Sequence, residues 1–320
     1  MSPFRRPAIF ISYKSHDAQL ARGIAEQLMA SGIRVWFAEY EILLKRRDRF
    51  EQSITRGLRR ARFGLAITND RYIASKYCQL ELRELLTRLD PGRVLEARSP
   101  DENETHGMFP KLRNSPHVVS PELDDVLRLV HEATDLTVEA APGPPVSASA
   151  EPVGGPCLGH GYTLDSSGWD VVEEAEDRAA GGVIKGPVMR CSWSEFPIVA
   201  NLFAGADPSP EARRRHRDTE DDREMYDALL DYLPRHLGRL SARVRGVHLL
   251  FHGELSQMAA TYRIAGYWSR KYSVTLPHPD GHDPAEFVFT FGFFGPFRQF
   301  CRYAFAMDRL VGSLRWGNVP

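Results

Sequence analysis

The chain has 320 residues, 42% hydrophobic and 26% charged, with a formal net charge of -1. That is enough apolar material for packed cores, and the length suits two domains of roughly 100–200 residues each, so a wholly disordered chain is excluded. The near-zero charge argues against bulk nucleic-acid binding, and no run approaches the roughly 20 apolar residues of a membrane-spanning helix, so no membrane partner is expected.

Met1 to Pro7 is basic but lacks the apolar core of a secretory leader. Ile9-Phe10-Ile11 then reads as a short buried strand. Asp17 is placed to cap the helix that follows, because its carboxylate can accept the free N–H groups of a first turn. Leu20, Ala21, Ile24, Ala25 and Leu28 recur at helical spacing, and Gly32 stops that helix. Ile33 to Phe37 is a second strand. Phe50, Ile54, Leu58 and Ala61 trace a second helix, Phe63 to Ile67 a third strand, and Leu82, Leu85, Leu86 and Leu89 a third helix ended by Pro91-Gly92. This alternation demands a parallel sheet covered by helices, with ligands beyond the C-terminal strand ends. The loops Ser12–His16, Ala38–Arg47 and Asn69–Cys78 lie at that edge.

Four stretches in order resemble the Toll/interleukin-receptor (TIR) domain family. Ile9 to Asp17 resembles its first box, Gly32 to Phe37 the strand into its BB loop, Ser53 to Ile67 the bacterial helix and strand that follow, and Ser75 to Leu82 its Cys-x-x-Glu segment. On this resemblance His117-Val118-Val119 and Leu123 to Val130 supply the last strand and helix. The resemblance implies a flavodoxin-like parallel sheet and cleavage of NAD+ between nicotinamide and ribose, giving ADP-ribose or a cyclic isomer. NAD+ is then the substrate, and no cofactor or metal is expected. Breaking that bond develops oxocarbenium character at the ribose, which a carboxylate can stabilise. Glu81 is the catalytic candidate. Tyr77, Trp36 and Phe37 are candidates to wall the nicotinamide and adenine rings, and Ser12, Tyr13, Lys14 and Ser15 to hold ribose and phosphate. Cys78 reads as a small buried residue. Tyr77 stands where the family has Trp, Ala38 where it often has Asp, and Ile42 to Asp48 form a longer, basic BB loop. Lys45, Arg46, Arg47, Arg49, Arg56, Arg59, Arg60 and Arg62 read first as a solvated face.

Residues 1–136 are therefore expected as the TIR domain, 137–158 as a Pro/Gly/Ser/Ala linker, and 159–320 as a second, mixed α/β domain that senses a trigger or drives oligomerisation. In that domain Val183 to Trp193 suggests a strand pair and Glu224 to Arg243 a bent helix. Val247 to Leu276 reads as a βαβ unit with its helix over Leu255 to Tyr262, weakly resembling Rossmann-like cyclic-oligonucleotide sensors of the SAVED or CARF type. Glu286 to Phe294 reads as a strand, and Phe297, Phe300, Cys301, Ala304 and Phe305 as the inner face of a last helix. His278 to Asp283 concentrates metal-type ligands, but a Pro-Asp-Gly turn explains it. Cys78, Cys157, Cys191 and Cys301 have neither zinc spacing nor the look of a disulfide framework, which fits a cytoplasmic protein. The expected whole is an NAD+-consuming effector in antiphage defence, self-associating through TIR domains and triggered by a cyclic nucleotide or a protein. A non-enzymatic TIR adaptor or host-signalling mimic is the alternative.

Overall fold

In a computed structural model of the chain, the described residues are 8–41, 50–100, 104–139, 153–157, 160–179, 182–192, 194, 198–204, 243–252, 255–264, 267–276 and 285–317. They fall into two compact units, one on either side of residue 140. No helix among them is long and apolar enough to cross a membrane.

The first unit is a five-stranded parallel sheet in the order β2-β1-β3-β4-β5, formed by β1 (Ile9–Ser12), β2 (Val35–Trp36), β3 (Phe63–Thr68), β4 (Val94–Arg98) and β5 (His117–Val119). Its helices are α1 (Ala18–Ala30), α2 (Ala38–Glu41), α3 (Phe50–Arg60), α4 (Asp70–Ala74), α5 (Lys76–Arg88), α6 (Glu104–Met108) and α7 (Leu123–Ala133). The expected parallel, flavodoxin-like fold is present. Phe10 and Trp36 from the sheet pack with Ile54 and Leu58 of α3 and with Leu82 and Leu85 of α5 in one core cluster. All four residues of β1 are buried, as expected for a central strand covered on both faces. α1 ends where Gly32 was expected to stop it. Gly32 adopts φ 79°, its N–H bonds to the Met29 carbonyl and the Ile33 N–H to the Leu28 carbonyl, the paired closure that a left-handed residue permits.

Two local expectations are corrected. Asp17 precedes α1 but makes no side-chain cap bond; its carboxylate accepts from the Asn69 amide at 2.8 Å instead. β4 was not anticipated, because Glu96 interrupts its apolar run. Glu96 is fully buried, and its two oxygens meet Thr68 Oγ1 at 2.8 Å and His106 Nε2 at 2.9 Å.

The second unit is mixed α/β with antiparallel sheets. β8 (Trp169–Ala179), β9 (Gly182–Cys191), β10 (Ile198–Ala204), β11 (Arg243–His252), β12 (Leu255–Ile264), β13 (Tyr267–Leu276) and β14 (Ala285–Phe293) form a seven-stranded sheet in the order β11-β12-β13-β14-β10-β9-β8. β15 (Arg315–Gly317), β7 (His160–Leu164) and β6 (Val153–Cys157) form a second sheet in that order. β6 therefore lies inside the segment expected as linker, and β9 is one strand rather than the expected pair. The helix expected over Glu224 to Arg243 and the His278 to Asp283 cluster lie outside the described residues, apart from Arg243, which opens β11.

The βαβ reading of Val247 to Leu276, and with it the SAVED/CARF-like likeness, is overturned. Leu255–Ile264 is a strand, antiparallel to both β11 and β13. Only two residues separate His252 from Leu255, and parallel strands need a crossover of about a dozen. Leu255, Met258, Ala259 and Tyr262 fit helical spacing by coincidence. On β14 the alternation is explicit: Phe287, Phe289, Phe291 and Phe293 are fully buried, while Val288, Thr290 and Gly292 are half-buried. The last helix is present as α8 (Phe297–Gly312), with Phe300, Cys301 and Ala304 buried as expected and Phe305 turned outward at 44% exposure. Phe300 and Tyr303 of α8 reach Phe293, with ring centroids 5.9 and 6.2 Å away. Arg270 of β13, also fully buried, places Nη1 3.3 Å from Asp308 Oδ1 on α8 and donates from Nε to Thr261 Oγ1 at 2.9 Å. The Tyr272 hydroxyl donates to the same Asp308 oxygen.

Candidate active site

The strand order creates the site. The chain leaves β1 to one side for β2 and crosses to its other side for β3, so the loops beyond the C-terminal end of β1 diverge at the switch point where open α/β sheets take their ligands. Ser12 is the last residue of β1. Side chains alternate along a strand, so Ser12 shares a face with Phe10, the α3/α5 side.

Glu81 arrives from α5. Ser75 caps that helix, accepting from the Cys78 N–H at 3.4 Å. Cys78, Glu81, Leu82, Leu85 and Leu86 are its buried residues, spaced as one helical stripe. A carboxylate on that stripe faces the sheet. Glu81 is 8% exposed, and Ser12 Oγ donates to Glu81 Oε2 at 2.6 Å. One residue along the loop, the Tyr13 carbonyl accepts from the Cys78 thiol at 3.5 Å, a second tie between α5 and the end of β1. The Tyr13 ring stacks on Phe37 at 5.3 Å, and Phe37 meets Tyr40 edge-on at 5.6 Å. The Tyr40 hydroxyl donates to Glu26 Oε1 at 2.5 Å, which anchors α2 to α1.

Of the residues expected at the site, Ser12, Tyr13, Phe37 and Glu81 are brought together. Tyr77 is half-buried in the first turn of α5, with the Lys76 ammonium 5.2 Å from its ring centroid. Lys14 and Ser15 are half-buried on the loop leaving β1. Trp36 lies elsewhere. It is 5% exposed, stacks on Phe10 at 4.2 Å and 10°, and sits in the core cluster with α3. Cys78 is buried, as expected. Arg56, Arg59 and Arg60 are exposed on α3, and Arg62 pairs with Asp135 at 2.6 Å; Lys45 to Arg49 lie outside the described residues.

One neighbour has no counterpart among the expected site residues. Tyr72 of α4 is fully buried, and its hydroxyl lies 2.8 Å from Ser12 Oγ. Burial first, then the neighbouring Cys78 and Glu81, pushes its phenol well above the usual range, against the Ser12 hydrogen bond. Asn69 connects the parts: its Oδ1 accepts from the Tyr72 N–H at 2.9 Å and its amide donates to Asp17. Burial also raises the Asp17 carboxyl, opposed by Asn69, His16 and Arg71.

Residues 9–106 match the family described as "TIR domain", the segment that carries this sheet edge. The N-terminal unit thus contains a TIR domain. Its similarity extends to three curated proteins. The "NAD(+) hydrolase TcpA" of Theionarchaea archaeon (strain DG-70-1) is 30% identical over 86 residues, covering 27% of this chain and 26% of that protein. The "2' cyclic ADP-D-ribose synthase BtTIR" of Bacteroides thetaiotaomicron is 31% identical over 87 residues, 27% of this chain and 30% of that one. The "2' cyclic ADP-D-ribose synthase AbTIR" of Acinetobacter baumannii (strain 1295743) is 33% identical over 81 residues, 25% and 29% of the two chains. This chain therefore spans under a third of the length of the curated relatives it matches.

Proposed function

We propose that the TIR domain hydrolyses or cyclises NAD+ at the bond between nicotinamide and ribose, with Glu81 as the carboxylate at the ribose. The observation that carries this reading is the Glu81 carboxylate held by Ser12 at the switch point of the parallel sheet. Similarity to proteins named for NAD+ hydrolysis and cyclic ADP-ribose synthesis supports it. The C–N bond breaks with its electron pair going to the nicotinamide nitrogen, so the leaving group departs neutral. Positive charge builds on the ribose ring and C1, where an ionised carboxylate stabilises it. Water then adds to C1 and loses a proton, giving ADP-ribose, nicotinamide and H+. Attack by a hydroxyl of the same molecule gives a cyclic isomer instead.

In this reading Ser12, with its hydroxyl given to Glu81, orients the carboxylate rather than the phosphate. Tyr13, Phe37 and Tyr77 supply aromatic surface for the substrate rings, with Lys14 and Ser15 on the loop beside them. The second unit regulates the first, by sensing a trigger or by driving oligomerisation, in an effector of antiphage defence. The test is NAD+ loss and product analysis with the purified full chain against Glu81→Ala, across concentrations that span self-association. Turnover that falls at least about a thousandfold in the variant is expected. Equal turnover in both proteins refutes the role of Glu81, and none in the wild type at any concentration refutes the enzymatic role. The burial of Glu81 favours a second reading, a TIR–TIR scaffold without catalysis, which that last outcome would support.

A further inference from the structure

Glu81 is the end of a hydrogen-bonded chain rather than of a single bond. Ser12 Oγ donates to Glu81 Oε2 at 2.6 Å and lies 2.8 Å from the Tyr72 hydroxyl. A serine hydroxyl has one proton. Once that proton is committed to Glu81 Oε2, Ser12 can only accept from Tyr72. The two bonds therefore run in one direction, from Tyr72 to Ser12 to Glu81. The upward shift of the Tyr72 phenol keeps the donor protonated. The backbone of Tyr72 is itself held, because Asn69 caps α4 through the Tyr72 N–H.

From this geometry we infer that Tyr72 is a positioning residue for Glu81, acting through Ser12. The inference rests on the proposal that Glu81 faces the ribose. With the Tyr72 donor in place, the Ser12 hydroxyl has one satisfied orientation, and aligned hydrogen bonds strengthen one another. Without it, the Ser12 proton can rotate away and the carboxylate loses this one of its fixed contacts. Alignment matters most where charge develops, so the effect falls on the chemical step rather than on binding. Tyr72 is fully buried, so it takes no part in contacting substrate.

The experiment is steady-state NAD+ turnover by the full chain as wild type, Glu81→Ala, Ser12→Ala, Tyr72→Phe, and the Ser12→Ala/Tyr72→Phe double variant. Tyr72→Phe keeps the buried ring and deletes only the hydroxyl. It is expected to lower kcat about tenfold while KM stays within about twofold. In the Ser12→Ala background the Tyr72 change is expected to have no further effect, since its route is gone. A Tyr72→Phe variant with wild-type kcat, or a double variant whose losses multiply, overturns the inference and leaves Glu81 standing. Wild type that does not turn over, or Glu81→Ala that does, removes the proposal beneath and this inference with it. Rates are referred to folded protein by circular dichroism, and a loss that disappears on that correction also overturns the inference. The double variant leaves neither partner of the Tyr72–Ser12 bond buried alone, so it provides a folded comparison.

Discussion

Gly57→Ala places a methyl group into the contact between α3 and β2. On helix propensity alone the change should stabilise α3 by about 1 kcal/mol, since alanine is the better helix former by that amount. The structure reverses the sign. A Cβ at position 57 would stand 2.5 Å from Trp36 Cδ1 and Nε1 and 2.6 Å from Cγ, whereas carbon atoms pack at about 3.5–4.0 Å. The overlap is thus about 1 Å, and it falls on the rigid indole rather than on the end of a flexible side chain. Trp36 has nowhere to retreat, being 5% exposed with its ring stacked on Phe10 at 4.2 Å. Overpacking of this kind costs about 1–3 kcal/mol, and a clash with a fixed ring belongs at the upper end. Subtracting the propensity gain leaves an expected net loss of about 2 kcal/mol. The assay is urea unfolding of the full chain, with hydrogen exchange of the α3 amides assigning the change to that helix. Trp36→Phe in the Gly57→Ala background should recover part of the loss. Stabilisation by about 1 kcal/mol, as propensity alone demands, would refute the steric reasoning.

Two further substitutions test charges whose surroundings are explicit. The folded Asp17 carboxyl titrates above its ordinary 3.8 because burial outweighs the Asn69, His16 and Arg71 contacts. The folded state therefore binds the extra proton between those two pKa values, and stability falls as pH rises through that window. Asp17→Asn removes this titration and can still accept from Asn69, so its Tm should exceed the wild-type value at pH 7 and match it near pH 3; a margin independent of pH would be the contrary result. Asp308→Ala withdraws the carboxylate that faces the fully buried Arg270, and removing one partner of a buried pair costs about 3–5 kcal/mol. Denaturant unfolding with hydrogen exchange of α8 should report it, and a loss under about 1 kcal/mol would show that Arg270 is compensated by its other contacts.

Ser12 and Glu81 were legible one by one, as positions in stretches that resemble the TIR family, but their pairing was not: Ser12 was expected at ribose and phosphate, whereas its hydroxyl is given to Glu81. The strand alternation from Ile9 to Ser12 and the helical stripe through Cys78, Glu81 and Leu82 account for the meeting once β1 and α5 are seen to pack together. Tyr72 was not legible. Its partner lies 60 residues away in sequence, and α4 is only five residues long, too short to show a period. Trp36 illustrates the limit of residue type as a guide, since an indole next to a site and an indole beneath it look alike until packing is known. Asp17 carried a sound cap signal, yet the Asn69 amide engages its carboxylate. In the second unit the apolar spacing of Leu255 to Tyr262 suited a helix, and only the two-residue gap after His252 could have arbitrated for a hairpin.

The Ser12–Glu81 hydrogen bond also spans 69 residues of chain. Closing so long a segment has an entropic cost that only the sheet and its crossover helices offset, so the bond belongs to the completed topology and not to any fragment of it. A chain that has made β1 but not yet docked α5 carries both side chains and no assembled carboxylate. For a domain proposed to consume a central metabolite, this makes folding itself a safeguard: on that proposal, copies in which α5 has not docked against β1 are expected to be inert.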